Sequence, residues 1–190
     1  SYDDRGRLIT QTDACGETAR FSYDTSGRLA KAKSPMGDEW KREYTQSGLL
    51  KKLTLPNGAS IELVYDAQTG KLIRLIDERG VTTHLEWDSA HNLTKVIAPS
   101  GEYTSYQYDK FGRPTLSFTP SLGMEYYRYD LAGNLLELEQ ANKNIQRFSY
   151  NAAGQVLTAE DKLRQLSFSY GILGDLLSRS EGGDNPVQYH

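Results

Sequence analysis

The chain has 190 residues, 37% of them hydrophobic and 25% charged, with a formal net charge of −3; these proportions belong to a folded chain. Lys and Arg are scattered among Asp and Glu, so there is no basic stripe of the kind that tracks nucleic acid, and the weakly anionic balance argues against an anionic membrane surface. One cysteine, Cys15, excludes an internal disulfide framework and a cysteine-built metal site, and no apolar run approaches the ~20 residues of a membrane-spanning helix.

From the first residues onward the chain repeats. An aromatic anchor recurs at Tyr2, Tyr23, Tyr44, Tyr65, Trp87, Tyr108, Tyr129, Tyr150 and Tyr170, at steps of 21, 21, 21, 22, 21, 21, 21 and 20 residues. A fixed period of this size is the signature of a repeat architecture. An acid follows the anchor in six units, as Asp3, Asp24, Asp66, Asp88, Asp109 and Asp130; Asn151 is a similar residue, and Thr45 and Gly171 are weaker substitutes. A glycine comes next, at Gly6, Gly27, Gly48, Gly70, Gly112, Gly133, Gly154 and Gly174, with His91 in the fifth unit's slot. Asp-x-x-Gly is a turn: the carboxylate bonds forward to backbone N–H groups, and glycine tolerates the positive φ at the reversal.

An apolar residue follows, at Leu8, Leu29, Leu50, Leu72, Leu93, Leu135, Val156 and Leu176; Pro114 is the exception and is expected to weaken pairing locally. About seven residues later a second turn is marked by Gly16, Gly37, Gly58, Gly80, Gly101 and Gly123, and it degrades to Asn142-Lys143-Asn144 and Lys162-Leu163-Arg164 in the last units. The chain then returns with alternating side chains, as in Phe21-Ser22-Tyr23, Leu63-Val64-Tyr65 and Phe148-Ser149-Tyr150, so each anchor shares a face with the residue two before it. Each unit is therefore a strand, a turn, a returning strand and a turn, and no window keeps a helical period.

The expected fold is all-β: tandem ~21-residue β-hairpin repeats forming a long, twisted, spiralling antiparallel sheet. Nine hairpins side by side would extend about 85 Å. Equivalent anchors two strands apart lie about 9.6 Å from each other, too far to stack, so the leucines after the turn are expected to fill the gaps. A β-propeller would need a period of about 42 residues, and a parallel β-solenoid would not need such sharp reversals. Residues 1–190 read as a single array, excised in phase from a longer one. Its strand edges would invite self-association.

The units Tyr-Asp-Asp-Arg-Gly-Arg-Leu (2–8), Tyr-Asp-Thr-Ser-Gly-Arg-Leu (23–29), Tyr-Asp-Lys-Phe-Gly-Arg-Pro (108–114) and Tyr-Asp-Leu-Ala-Gly-Asn-Leu (129–135) resemble RHS repeats, also called YD repeats, and the resemblance covers essentially the whole chain. It implies a β-sheet shell. In bacterial RHS effectors, wall-associated toxins and insecticidal toxin complexes such a shell encloses a C-terminal toxin, and in teneurins a related shell serves adhesion. The expected function is thus a structural segment of a shell that sequesters a toxin or effector polypeptide. Its partners would be the rest of the shell and the enclosed toxin, in a protein that is secreted, at the cell surface or exported by a secretion system. The family's core-end motif Asp-Pro-x-Gly-Leu is absent, so no aspartate here inherits its self-cleaving role.

The residues themselves point away from catalysis. His84 and His91 are seven apart, one in a strand and one at a turn, and His190 is terminal; without paired carboxylates they make a poor metal site. Cys15 has no histidine nearby in sequence to serve as its base. No catalytic residue, cofactor or metal is assigned, and the anchors, turn acids and turn glycines are taken as structural. The competing reading is a binding module for carbohydrate or a surface receptor, with Tyr103, Tyr106, Tyr126 and Tyr127 as extra aromatic surface.

Overall fold

The computed structural model describes residues 1–189; the terminal histidine, His190, lies outside them. The described residues form eighteen strands and no helix: β1 (Thr10–Thr12), β2 (Thr18–Tyr23), β3 (Leu29–Lys33), β4 (Glu39–Tyr44), β5 (Leu50–Thr54), β6 (Ser60–Tyr65), β7 (Leu72–Ile76), β8 (Thr82–Trp87), β9 (Leu93–Ile97), β10 (Tyr103–Tyr108), β11 (Pro114–Thr119), β12 (Gly123–Tyr129), β13 (Leu135–Glu139), β14 (Ile145–Tyr150), β15 (Val156–Glu160), β16 (Gln165–Tyr170), β17 (Leu176–Glu181) and β18 (Val187–Gln188). They divide into two compact units, one of Ser1–Glu86 with Ile97–Gly101, the other of Trp87–Val96 with the residues from Glu102 onward.

In the first unit each strand pairs antiparallel with the next from β1 to β8, and in the second unit from β10 to β18. Short turns with strong reversal residues leave no room for a crossover, so sequence neighbours become sheet neighbours. The register is the same from repeat to repeat. Phe21 faces Ala32 and Ala32 faces Trp40; one repeat later Arg42 faces Leu53 and Leu53 faces Ile61. Just before seven of the nine anchors the pairing shifts, at Ser22/Tyr23, Glu43/Tyr44, Val64/Tyr65, Gln107/Tyr108, Arg128/Tyr129, Ser149/Tyr150 and Ser169/Tyr170.

Pro114 keeps its place at that shift. It pairs with Tyr108 as Leu29 pairs with Tyr23. The proline stands at the first residue of its strand, opposite the irregularity present in other repeats, where a missing N–H costs the ladder least.

Alternation separates two faces. On one lie Phe21, Ala32, Trp40, Leu53, Ile61, Leu63, Leu75 and Leu85. The other carries Lys31, Lys41, Glu43, Lys52 and Glu62, with a cross-strand ion pair between Lys52 and Glu62 at 2.9 Å. Neither unit closes over its apolar face. No hydrophobic side chain among the described residues is buried, and Ser117, at 6% exposure, is the sole buried residue among them. The accessible surface is 13022 Å², against about 9,100 Å² expected for a folded monomer of this mass.

Candidate functional site

The recurring feature is a cluster built at each Asp-x-x-Gly turn. In the second repeat Asp24 Oδ1 accepts the backbone N–H groups of Ser26 and Arg28, both at 2.9 Å, and Oδ2 accepts Arg28 Nε at 2.7 Å. The Gly27 N–H donates to the Asp24 carbonyl at 3.0 Å, closing the turn. Asp3 with Arg7 and Asp109 with Arg113 repeat the arrangement. Asp88 with Asn92 and Asp130 with Asn134 replace the guanidinium by an amide, and Asn151 with Gln155 uses amides on both sides. The backbone N–H of Arg7 and that of Arg28 hold the Asp3 and Asp24 carboxyls below the usual carboxylate range, with the guanidinium adding to the effect.

The turn accommodates its exceptions in physical ways. His91 takes the glycine slot at φ +68°, and Lys143 takes the corresponding slot of a second turn at φ +66°. In the four-residue spacing after Tyr65, Asp66 instead binds the N–H and hydroxyl of Thr69 at 2.8 and 2.7 Å. In the last repeat the acid changes place. A Cβ on Gly171 would lie 2.6 Å from Asp175 Oδ1, so the acid, which stands at the position of Arg28, would have to turn aside.

Two kinds of contact tie repeats to their neighbours, and neither was foreseen from the sequence. The first is the anchor hydroxyl. Tyr23, Tyr44 and Tyr65 donate to the carbonyls of Leu8, Leu29 and Leu50, each at 2.8 Å, and Tyr108, Tyr150 and Tyr170 donate to Leu93, Leu135 and Val156 at 2.7, 2.8 and 2.9 Å. The β3–β4 ladder stops at Lys31 opposite Lys41, and beyond it the phenol takes the carbonyl that the ladder leaves open. The second is the residue after the turn glycine. Arg7, Arg28 and Arg113 lie over the rings of Tyr23, Tyr44 and Tyr129 at 4.5, 4.7 and 4.8 Å, so in these repeats a guanidinium stands against the next anchor's ring. Arg28 and Arg113 also donate to the carbonyls of Thr45 and Asp130 at 3.1 and 3.0 Å. Gly-Arg-Leu was the available signal; its arginine has an acid, a ring and a carbonyl to satisfy.

The other sequence candidates stay apart. His84 lies on β8 opposite Arg74, and His91 is in the next turn. No three metal-binding side chains converge among the described residues. Cys15 is exposed, with its N–H on Asp13. Tyr106 is in ring contact with Tyr108 at 6.5 Å.

The repeat containing β11 and β12 differs. On the side that is apolar elsewhere, the Tyr127 hydroxyl donates to Glu125 at 2.9 Å and so accepts from Ser117 Oγ, 3.1 Å away; burial pushes the Tyr127 phenol upward. On the opposite side Tyr103 meets Phe118 at 5.4 Å, Lys95 lies 4.3 Å over the Tyr103 ring, and Tyr126 reaches Met124. Tyr103, Met124 and Tyr126 are 41%, 47% and 44% exposed.

A family model described as teneurin YD-shell matches residues 1–126. This chain belongs to the teneurin YD-shell family. The YD-shell chain finds no match among curated proteins. Among solved structures it is similar to the crystal structure of TcdB2-TccC3, at 17% identity and TM-score 0.72 over 95% of this chain and 13% of the other. It is also similar to the Photorhabdus luminescens Tc holotoxin pore, at 16% identity and TM-score 0.61 over 100% of this chain and 14% of the other. A third similarity, to TcdB2-TccC3-TEV, has 16% identity and TM-score 0.58 over 94% of this chain and 12% of the other. The YD-shell chain thus spans about an eighth of the length of these structures, and at such identity the likeness carries the fold alone.

Proposed function

We propose that this YD-repeat segment is a section of shell wall that encapsulates a C-terminal toxin or effector polypeptide and acts by physical sequestration. The observation that carries the reading is the sheet's uncovered apolar face: no hydrophobic side chain is buried among the described residues, yet a soluble protein does not leave so large an apolar surface open to water. Within each unit the hydrogen-bonded ladder has no gap for a protease, and the anchor and arginine ties fasten one repeat to the next. The family's shell role and the likeness to Tc toxin structures support this reading. The complete protein would be secreted, displayed at the cell surface or exported, with the segment structural and not catalytic, and strand edges would drive self-association of the isolated chain. The test is protease digestion of the complete protein. Cargo should survive within the intact shell and be cut rapidly once released; equal rates in both states would overturn the reading.

A second reading has its own observation. The aromatic patch of Tyr103, Phe118 and Tyr126 lies on the otherwise polar face, and exposed rings of this kind stack on sugars or pack on a surface receptor. A glycan array decides the sugar version: binding lost on Tyr126→Ala supports it, and no binding at millimolar glycan removes it.

A further inference from the structure

The apolar face of the first unit contains a cation that the repeat does not call for. The position two before the anchor is Phe21, Leu63, Leu85, Tyr106, Tyr127, Phe148 and Phe168 in other repeats, but Arg42 before Tyr44. Register fixes its side: Arg42 faces Leu53, and alternation puts it with Trp40 and Tyr44, while Lys41 and Glu43 point the other way and are exposed. One terminal nitrogen of Arg42, Nη1, is shut off from solvent and has no hydrogen-bond partner. A charged donor without an acceptor is unfavourable; Arg42 as a whole is only half-buried, so its side chain can turn this nitrogen toward an acceptor that arrives from outside. Along the strands β1 to β8 the only other charged residue that alternation puts on this side is Lys51, also a cation, two residues along β5 from Leu53. No strand carboxylate of the first unit shares the face.

We propose that the apolar face of the first unit docks an extended polypeptide in which an acidic side chain stands between apolar ones, its carboxylate accepting hydrogen bonds from Arg42 and its apolar residues covering Trp40, Leu53 and Ile61. The charge complementarity selects an acidic segment: the strand middles of this face offer two cations and no anion, the turn acids Asp3 and Asp24 beside the anchors are already paired with Arg7 and Arg28, and a guanidinium in apolar surroundings binds a carboxylate through paired, charge-assisted bonds. This rests on the wall reading, in which polypeptide covers that face, and adds the chemistry of the segment that covers it.

The test uses the 190-residue chain and two fluorescent peptides, Leu-Ser-Glu-Ser-Leu and Leu-Ser-Gln-Ser-Leu, whose alternation puts Leu, Glu or Gln, and Leu on one side of an extended strand. Anisotropy titration should show about tenfold tighter binding of the Glu peptide, a preference worth about 1.4 kcal/mol. Arg42→Leu should abolish the preference, while Arg42→Lys should retain part of it. Leucine already occupies the same repeat position at Leu63 and Leu85, so Arg42→Leu should keep its thermal transition, which a melt verifies. Free acetate should compete only weakly, since it covers no apolar surface; competition by acetate equal to that of the peptide would mean a small-anion site and overturn the docking. Equal affinity for both peptides, or an unchanged preference in Arg42→Leu, would overturn the inference and leave the wall reading standing. Binding of neither peptide at millimolar concentration would overturn the docking surface together with the idea that polypeptide covers this face.

Discussion

The repeat from Tyr23 to Tyr44 and the hairpin of β11 and β12 obey the same register but use their faces in opposite ways. In the first, Phe21, Ala32 and Trp40 make one side apolar, and Arg20, Lys31 and Lys33 make the other polar. In the second, the equivalent positions are Ser117, Glu125 and Tyr127 on the first side and Leu116, Phe118, Met124 and Tyr126 on the other. The turn differs too. Its glycine is displaced by one residue to Gly123, which packs so closely on Ala141 that an added Cβ would lie 2.7 Å from the alanine Cβ. Backbone ladders and anchors are thus independent of what the strand middles present. The periodic residues build the sheet, and the residues between them are free to specify what each stretch meets.

The largest effect that should separate the two regions comes from acid, because it acts on many turns at once. The Asp3, Asp24 and Asp88 carboxyls lie below their ordinary value of 3.8, chiefly through the backbone N–H groups of Arg7, Arg28 and Asn92. A depressed carboxyl contributes stability that is complete above the unfolded value and is lost as pH falls through the folded one. The melting temperature should hold from pH 7 to about 5 and drop below about 4. Hydrogen exchange should then open the Ser26 and Arg28 amides before that of Leu122, which donates to the neutral Thr119 hydroxyl. A fall that begins between pH 7 and 5 would contradict the account.

Glycine replacements come next. Gly123→Ala, at φ +79° against Ala141, should cost roughly 2–4 kcal/mol in urea unfolding, since strain and overpacking add. Gly58→Ala, at φ +86° with open space around it, should cost about 1 kcal/mol. Equal costs would remove the special packing assigned to the β11–β12 turn. Smaller still, Tyr44→Phe should cost about 1 kcal/mol by orphaning the Leu29 carbonyl. Tyr126→Phe, whose hydroxyl reaches only the Met124 sulfur, should stay within about 0.5 kcal/mol of wild type. The smallest change is Arg28→Lys, which keeps the charge but gives up the planar contact on Tyr44; a loss of about 0.5 kcal/mol is expected in the same assay.

The sequence was legible wherever a residue type has a local geometric reason to recur. Asp24 and Gly27 act within their own turn, and Phe21 and Tyr23 alternate within their own strand, so spacing alone revealed hairpins, facing and an all-β chain. The ties between repeats were hidden because one partner is a backbone carbonyl, which has no residue signature: nothing marks Leu29 as the acceptor for Tyr44, 15 residues later. That Pro114 stands opposite a pairing shift becomes visible only in the paired strands. Arg42 could be read from the sequence as an exception among apolar residues, but its unpartnered nitrogen could not.

The central claim, that this sheet is a wall with one covered face, is tested most directly by cysteine labelling in the complete protein. With Cys15 replaced by serine, single cysteines would be placed at Phe21, Leu63 and Leu85 on the apolar side and at Ser22, Glu43 and Glu62 on the polar side. A bulky maleimide should label the polar set rapidly and the apolar set at least tenfold more slowly, and both sets at similar rates in the isolated 190-residue chain. Equally fast labelling of both faces in the complete protein would contradict the account.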